Sequence, residues 1–160
     1  MINVLITGAS GFVGQVLTKY LIEKGCFVRA ACRTELPLYS KNETSNFEWQ
    51  YYDLTDDNVN YEKLLENIDI VVHLAAQVHK LNATSKDVVD GYQVINTVGT
   101  ETLAEAAVKN KVKRFIFMSS IKVNGEKSNS VKISASDDVN PQDPYAISKY
   151  KAEQALTNSC

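Results

Sequence analysis

The chain of 160 residues holds three cysteines, and their placement excludes most cysteine chemistry. Cys26, Cys32 and Cys160 show neither the spacing of a metal site nor a partner pattern for nucleophilic catalysis. An odd count with no disulfide framework points to a reducing cytoplasm. Cys26 and Cys32 border or lie in an apolar strand and read as core residues. Charge of one sign is also scarce. The formal net charge is −2, so no global field favours nucleic acid or an anionic membrane as a partner. No apolar run reaches the roughly 20 residues needed to cross a bilayer. A first strand starting at residue 2 is expected to leave no space for a secretory leader. Internal repeats, low-complexity tracts and interdomain linkers are absent too. The sequons Asn42-Glu43-Thr44 and Asn82-Ala83-Thr84 then read as chance. What remains is one globular domain, residues 1–160, long enough to bury a core.

Strand and helix signals alternate along it. Residues 2–7 predict a buried strand. Residues 12–24 predict a helix with Val13, Val16, Leu17, Tyr20 and Leu21 on its inner side, stopped by Gly25. Phe27–Cys32 reads as a second strand. A polar loop with Pro37 follows over residues 34–46. Phe47–Tyr52 is a third strand, Asp56–Asn67 a short helix, and Ile70–Leu74 a fourth, continuously apolar strand. A long helix is expected over Asp87–Asn110, weakened by Gly91 and Gly99. Arg114–Met118 is a fifth strand, and a last helix runs from Tyr145 to the end. Continuous apolar strands separated by helices mean an α/β fold with a parallel sheet covered on both faces.

The most informative stretch is Thr7-Gly8-Ala9-Ser10-Gly11-Phe12-Val13-Gly14. Gly8 lets the chain turn sharply after the strand, Gly11 lets backbone approach a pyrophosphate, and Gly14 lets the next helix pack closely. The helix would start with free N–H groups aimed at the phosphates. Tight strand-to-helix turns also use glycine for steric reasons alone, so the loop needs company. It has company at the carboxyl ends of the other strands, where open α/β sheets bind ligands. Asp53-Leu54 follows strand three, Leu74-Ala75-Ala76 ends strand four, Ser119-Ser120 follows strand five, and Tyr145 and Lys149 open the last helix. Singly, each has a plain reading: Asp53 as a helix cap, the alanines as packing, the serines as a turn, Pro144 as a helix starter. Tyr145 and Lys149, four apart on a helix, share a face. An ammonium nearby lowers a phenol's pKa by about 1–3 pH units, which would bring Tyr145 towards use as a base.

Taken together, these motifs resemble the extended short-chain dehydrogenases/reductases, in the NAD-dependent epimerase/dehydratase group that acts on nucleotide sugars. Thr7–Gly14 is similar to that family's TGxxGFxG loop. Asp53-Leu54 is similar to its segment with the acidic residue that contacts the adenine, and His73-Leu74-Ala75-Ala76 to the segment beneath the cofactor. Ile95-Asn96-Thr97-Val98-Gly99-Thr100 is similar to its VNxxGT helix, and Tyr145-Ala146-Ile147-Ser148-Lys149 to its YxxxK. The resemblance implies a Rossmann-type doubly wound parallel sheet that binds NAD or NADP through Gly8, Ser10, Gly11, Phe12, Val13, Gly14, Asp53, Leu54, Leu74, Ala75, Ala76, Asn96, Ser119, Tyr145 and Lys149. It implies Ser120, Tyr145 and Lys149 as catalytic residues. Ser120 bonds the sugar oxygen that exchanges a proton with Tyr145, and Lys149 bonds the nicotinamide ribose.

The implied activity is a UDP-sugar 4-epimerase of the UDP-glucose 4-epimerase type. A 4-keto nucleotide-sugar reductase using NADPH and a non-catalytic dinucleotide-binding module are the alternatives. A dehydratase generally carries an acidic residue beside the paired serines, and Ile121 and Lys122 supply none. Strand two ends in Ala30-Ala31-Cys32-Arg33 with no carboxylate before Glu35, so Arg33 is a candidate for a 2′-phosphate, which favours NADP. Two departures stand out. Asn124 replaces the tyrosine of many members, within a serine-rich stretch, Ser119–Ser136, expected to be mobile. Members also continue beyond the catalytic helix, so the chain is expected to be an amino-terminal part lacking the substrate domain. A homodimer through the long helix and the YxxxK helix is a further implication.

Overall fold

A computed structural model describes residues 1–34, 45–56, 58–78, 90–126 and 132–159. Glu35, Pro37, both sequons, residues 87–89 of the expected long helix and Cys160 lie outside the described residues. The chain divides into two compact units. The first comprises Met1–Ala76 and Leu103–Met118, the second Gln77–Thr102 and Ser119–Cys160.

The first unit is a parallel sheet of β1 (Asn3–Thr7), β2 (Phe27–Cys32), β3 (Phe47–Tyr51), β4 (Ile70–His73) and β5 (Arg114–Phe117). The strand order is β3-β2-β1-β4-β5, and every neighbouring pair is parallel. The chain moves outward from β1 in one direction and then in the other, which puts a topological switch point between β1 and β4. Successive side chains in a strand point to opposite faces, and the core divides accordingly. Val4 and Ile6, with Val28, Ala30, Cys32 and Val72, pack on one face with Leu17, Leu21 and Ile22 of helix α1 (Phe12–Glu23). Leu5, Ala31 and Val71 pack on the other with Leu64 and Leu65 of α2 (Tyr61–Leu65) and with Leu103, Ala106 and Ala107. The last three belong to α3 (Gly99–Lys109).

Helix α1 corrects the expected inner face. Val13, Val16 and Tyr20 are exposed, while Gly14 and Thr18 are buried. The stripe that reaches the sheet is Gly14, Leu17, Thr18, Leu21, offset by one residue from the apolar count. The two residues without bulk let the helix approach, so they are the ones that go inside. The expected stop is present. Gly25 has φ +78°, and the N–H groups of Gly25 and Cys26 donate to Ile22 and Leu21, which closes the helix in a Schellman motif.

Helix α2 is shorter than the Asp56–Asn67 expected. Asp56 accepts from the Asn58 N–H at 2.9 Å and Asn60 caps the helix through the Lys63 N–H at 2.9 Å, so the preceding residues are spent on turns. At its other end the carbonyls of Lys63, Leu64 and Glu66 accept from Nη1 of Arg29 at 2.9–3.2 Å. Arg29 projects from β2 and pairs with Glu48 at 3.0 Å, its register partner on β3. One guanidinium thus ties strand, strand and helix end together.

In the second unit, residues 90–92 are helical and Gln93–Val98 form a π-helical turn. Gly99 follows in ordinary helical geometry, φ −60° and ψ −36°, so it does not break the helix as feared. A short 3₁₀ turn, Ile121–Val123, and helix α4 (Pro144–Ser159) complete the unit. The described parts of the serine-rich stretch are hydrogen-bonded. Asn124 Nδ2 donates to the Asp137 carbonyl at 2.9 Å, and the Asn140 N–H donates to Val123 at 2.9 Å.

Helix α3 also ends in a Schellman pattern, the N–H groups of Lys111 and Val112 donating to Val108 and Ala107. Here the left-handed residue is Lys111, φ +58°, which an L side chain occupies at a cost of about 1 kcal/mol. Lys111→Gly is expected to raise unfolding free energy by up to ~1 kcal/mol in urea titrations, since removal of the Cβ strain outweighs the added unfolded-state entropy.

Candidate functional site

In the first unit the site is built on the turn after β1. Gly8, φ +69°, has no space for a side chain: a Cβ there would lie 2.7 Å from the Ala75 nitrogen. A Cβ on Gly14 would overlap the Gly8 carbonyl oxygen and lie 2.7 Å from Ala9 Cα. These two glycines serve close packing. Gly11 differs. Its Cβ would meet the Gly8 carbonyl at 3.2 Å and nothing else within 4 Å, which leaves a cradle open above the loop. Helix α1 begins here with Gly11 as a cap that offers no side chain, so the first-turn N–H groups of Phe12, Val13 and Gly14 remain donors. Phe12 and Val13 are exposed, Ser10 is half-buried, and the Ser10 carbonyl accepts from Gln15 Nε2 at 2.7 Å. An open, donor-lined cradle with no acidic residue in the helix's first turn suits a phosphate.

The end of β4 is fixed from β1. The Thr7 hydroxyl lies 2.6 Å from His73 Nδ1, its register partner, and accepts from the Ala75 N–H at 3.3 Å. His73 is fully buried and stacks on Phe117. Leu74, Ala75 and Ala76 therefore leave the sheet along a set path, each half-buried. At the end of β3, Leu54 packs against the core. Asp53 Oδ1 accepts from the Thr55 N–H and hydroxyl, at 2.9 and 2.8 Å. Those bonds, with help from the Arg33 charge, hold its carboxyl below the usual range. Arg33 itself is exposed.

In the second unit, α4 carries Tyr145 and Lys149. Asp143 starts the helix, its Oδ1 accepting from the Ala146 N–H at 2.6 Å. Its Oδ2 pairs with Lys122 at 2.5 Å. Lys122 sits in the 3₁₀ turn that Ser120 caps through the Lys122 N–H, so one carboxylate joins the Ser120 turn to the helix bearing Tyr145. The Ser120 side chain lies near enough to the Tyr145 phenol to pull its pKa down. Tyr92 meets the Tyr145 ring edge-on at 6.1 Å between centroids. Asn96 is buried, and both its amide hydrogens are used within the protein, on the Gln77 carbonyl at 3.0 Å and the Ser148 hydroxyl at 2.9 Å. Its Oδ1 accepts from the Gln77 N–H at 2.8 Å. Thr97 donates to the Ser148 carbonyl at 2.9 Å. Asn96 thus positions α4 and the residues after β4 from inside the protein. Gln77 Nε2 is buried without a hydrogen-bond partner among the described residues, a donor available to a bound molecule.

The electrostatics correct one expectation. Burial pushes the Tyr145 phenol above its ordinary value, and Asp143 and Tyr92 add to this. Ser120 and Lys122 pull it down, but do not prevail. The ammonium of Lys122, outside the YxxxK pattern, is one that pulls the phenol down. Lys149 is 2 % exposed, and burial lowers its own pKa to about 8 against the opposing pull of Glu153. Sequence reading missed Lys122, Asp143, Ser148 and Glu153. Asp143 was the discoverable one, because Asp-Pro three residues before Ala146 is a helix-start signal. Since folding lowers the Lys149 pKa from 10.5 to about 8, the unfolded chain binds the extra proton between those values. Stability then rises with pH from about 8 upward, by at most ~1.4 kcal/mol per pH unit. Urea unfolding at pH 7.5 and 9.5 is expected to show this rise, and Lys149→Met to abolish it.

The sequence profile of the NAD dependent epimerase/dehydratase family matches residues 4–160. The chain is 36% identical over 156 residues to the UDP-glucose 4-epimerase of Vibrio cholerae, covering 96% of this chain and 46% of that protein. Among solved structures, MoeE5 in complex with UDP-glucose and NAD superposes with a TM-score of 0.81 at 32% identity, over 98% of this chain and 48% of that one. The UDP-glucuronic acid 4-epimerase of Bacillus cereus in complex with NAD gives 0.82 at 30% identity, over 99% and 52%. The chain spans about half the length of the curated relatives it matches. The parallel sheet and the glycine turn with its open cradle agree with these likenesses, and the chain belongs to the NAD-dependent epimerase/dehydratase family.

Proposed function

We propose that residues 1–160 are the cofactor-binding part of a UDP-sugar 4-epimerase that uses NAD. The observation that carries this reading is the Tyr145 phenol with Ser120 near enough to lower its pKa, with Lys149 one helical turn on and no carboxylate at Ile121 or Lys122. The likeness to UDP-glucose 4-epimerase supports the same substrate class.

In the first unit, Gly8, Ser10, Gly11, Phe12, Val13 and Gly14 would receive the pyrophosphate, Asp53 and Leu54 the adenosine end, and Leu74, Ala75 and Ala76 would line the nicotinamide side. In the second, Lys149 would hold the nicotinamide ribose and Ser119 would support it. Bound NAD supplies the acceptor and donor of hydride. The chain's own task is proton traffic. Tyr145 takes the proton of a sugar hydroxyl and returns it, while Ser120 holds that oxygen in place. The raised phenol pKa makes Tyr145 a competent donor on return and a reluctant base on removal, so cationic neighbours matter for the first half. A homodimer is consistent with the exposed Val94, Val98 and Ile147 on the two helices concerned.

Two measurements test the reading. Gly11 has φ −75° and a Cβ there would meet only the Gly8 carbonyl oxygen, at 3.2 Å, so Gly11→Val is expected to fold with a modest loss of melting temperature. Its NAD affinity, measured by calorimetry, should fall roughly 100-fold or more, equivalent to ~2.7 kcal/mol. Unchanged affinity would sink the assignment. The same titration with NADP decides the Arg33 reading, because tighter NADP binding would favour the keto-sugar reductase. The isolated 160-residue polypeptide is expected to bind NAD yet turn over UDP-glucose several orders of magnitude more slowly than the full-length enzyme. Positioning of the sugar accounts for ~7–11 kcal/mol of such a barrier. Robust turnover by the isolated polypeptide would refute that division of labour.

A further inference from the structure

Ser120 is flanked by residues that are fastened to the same helix. On one side the Ser119 hydroxyl donates to Glu153 Oε1 of α4. On the other the Lys122 ammonium lies 2.5 Å from Oδ2 of Asp143, the residue that caps α4. Lys122 also meets Ser120. Its N–H donates to Ser120 Oγ at 3.3 Å, and the Val123 N–H donates to the Ser120 carbonyl at 3.1 Å. Ser120 Oγ thereby uses an acceptor lone pair inside the turn and keeps its O–H as a donor. Lys122 thus joins the Ser120 hydroxyl, through its backbone, to the cap of α4, through its side chain. Asp143 completes the connection. Its Oδ1 accepts from the Ala146 N–H at 2.6 Å and its carbonyl from the Ile147 N–H at 3.0 Å. Tyr145 lies in the first turn that those two bonds define.

We propose that Lys122 is a positioning residue for the proposed reaction: its ion pair with Asp143 clamps the Ser120 turn to the first turn of α4, so that the Ser120 hydroxyl and the Tyr145 phenol address one substrate oxygen. This deepens the reading of Ser120 and Tyr145 as catalytic residues and rests on it.

Both partners are partly exposed, and an ion pair of that kind adds little to stability. Its effect is on direction. A lysine stem is flexible, yet here one end of the residue is held by Ser120 and the other by a carboxylate 21 residues away. Glu126 also reaches the ammonium, at 3.3 Å from within the same segment, but the shorter contact is the one to the helix. Asp143 and then Glu126 hold the Lys122 ammonium above its ordinary range. Burial pushes the Asp143 carboxyl up, and Lys122 with the Ala146 N–H outweighs it. Both charges are therefore present at neutral pH. The rest of the segment is braced separately, by Asn124 Nδ2 on the Asp137 carbonyl and the Asn140 N–H on the Val123 carbonyl, each at 2.9 Å. Those bonds tie the segment to itself, whereas Lys122 ties it to α4.

The test separates the clamp from the cap. Asparagine caps a helix about as well as aspartate, so Asp143→Asn keeps the bond to Ala146 and loses the charge that holds Lys122. Lys122→Met removes the same pair from the other side. In the 160-residue chain, amide hydrogen exchange is followed by NMR at Val123 and Asn124, whose N–H groups donate to Ser120 and Ile121. Both should exchange roughly fivefold faster in either variant, and no faster in the double variant. The Ala146 N–H should keep its protection throughout, and Lys122→Arg should stay close to wild type. Lys19→Met, which breaks the exposed Lys19–Glu23 pair of α1, is the control and should change none of these rates. In the full-length enzyme, Lys122→Met and Asp143→Asn should each lower kcat for UDP-glucose by about tenfold or more. KM should stay within about threefold, the melting temperature should barely move, and Lys122→Arg should recover most of the loss. Amides indifferent to both variants overturn the proposal. So does an unchanged kcat, or one lowered equally by Lys19→Met. Should Asp143→Asn prove unfolded by circular dichroism, Lys122→Met and Lys122→Arg decide alone. If the wild-type full-length enzyme does not turn over UDP-glucose, the proposed reaction falls, while the exchange rates still decide the clamp.

Discussion

The carbonyl group of Gly8 governs the geometry of the first unit. It accepts the N–H of Gly11 at 2.9 Å, and a Cβ added at Gly11 or Gly14 would press on it. Gly8 and Gly14 each omit a Cβ where another atom already sits. The division of labour is uneven, however. Gly8 and Gly14 are needed by the protein itself, whereas Gly11 leaves space that the protein does not fill. A ligand motif and a packing motif are superimposed in one octapeptide.

The sheet around that turn is held by bonds placed at its strand ends. Thr7 links β1 to His73 of β4 and to the chain beyond it. Arg29 links β2 to β3 and to the end of α2. Both lie in the register the backbone imposes, Thr7 opposite His73 and Arg29 opposite Glu48. Polar side chains inside a sheet normally cost stability; here Thr7 keeps a carboxyl-terminal strand end in place where the chain leaves the sheet, and Arg29 joins β2, β3 and α2. In the second unit the same economy falls to Asp143, which caps α4 with one oxygen and holds Lys122 with the other.

Much of this was legible in the sequence. The five strands are found within a residue or so of their expected bounds, because their apolar runs are continuous and bounded by turn residues. The glycine loop, Tyr145 and Lys149 were legible because their chemistry depends on short spacing. What escaped reading depends on contacts between distant segments. The inner face of α1 follows from helix–sheet distance, which the apolar count of Val13, Val16 and Tyr20 does not encode. Lys122 and Glu153 look like solvated charges until Asp143 and Ser119 are brought to them from 21 and 34 residues away. The direction of the Tyr145 shift could not be read either, since burial of a phenol is a property of the whole surround.

The π-helical turn at Gln93–Val98 has a consequence for how this chain should be compared with others. A π turn holds one residue more than the α turn it replaces, so the side chains before it are rotated by roughly 100° relative to an uninterrupted helix. Asn96 and Thr97, neighbours in sequence, both reach Ser148 from within that wider turn. The helix therefore has two phases, one before the bulge and one after. A relative that lacked the extra residue would present a different face upstream of it while aligning perfectly downstream. The turn is where this part of the chain can gain or lose a residue and, in doing so, redirect everything that precedes it.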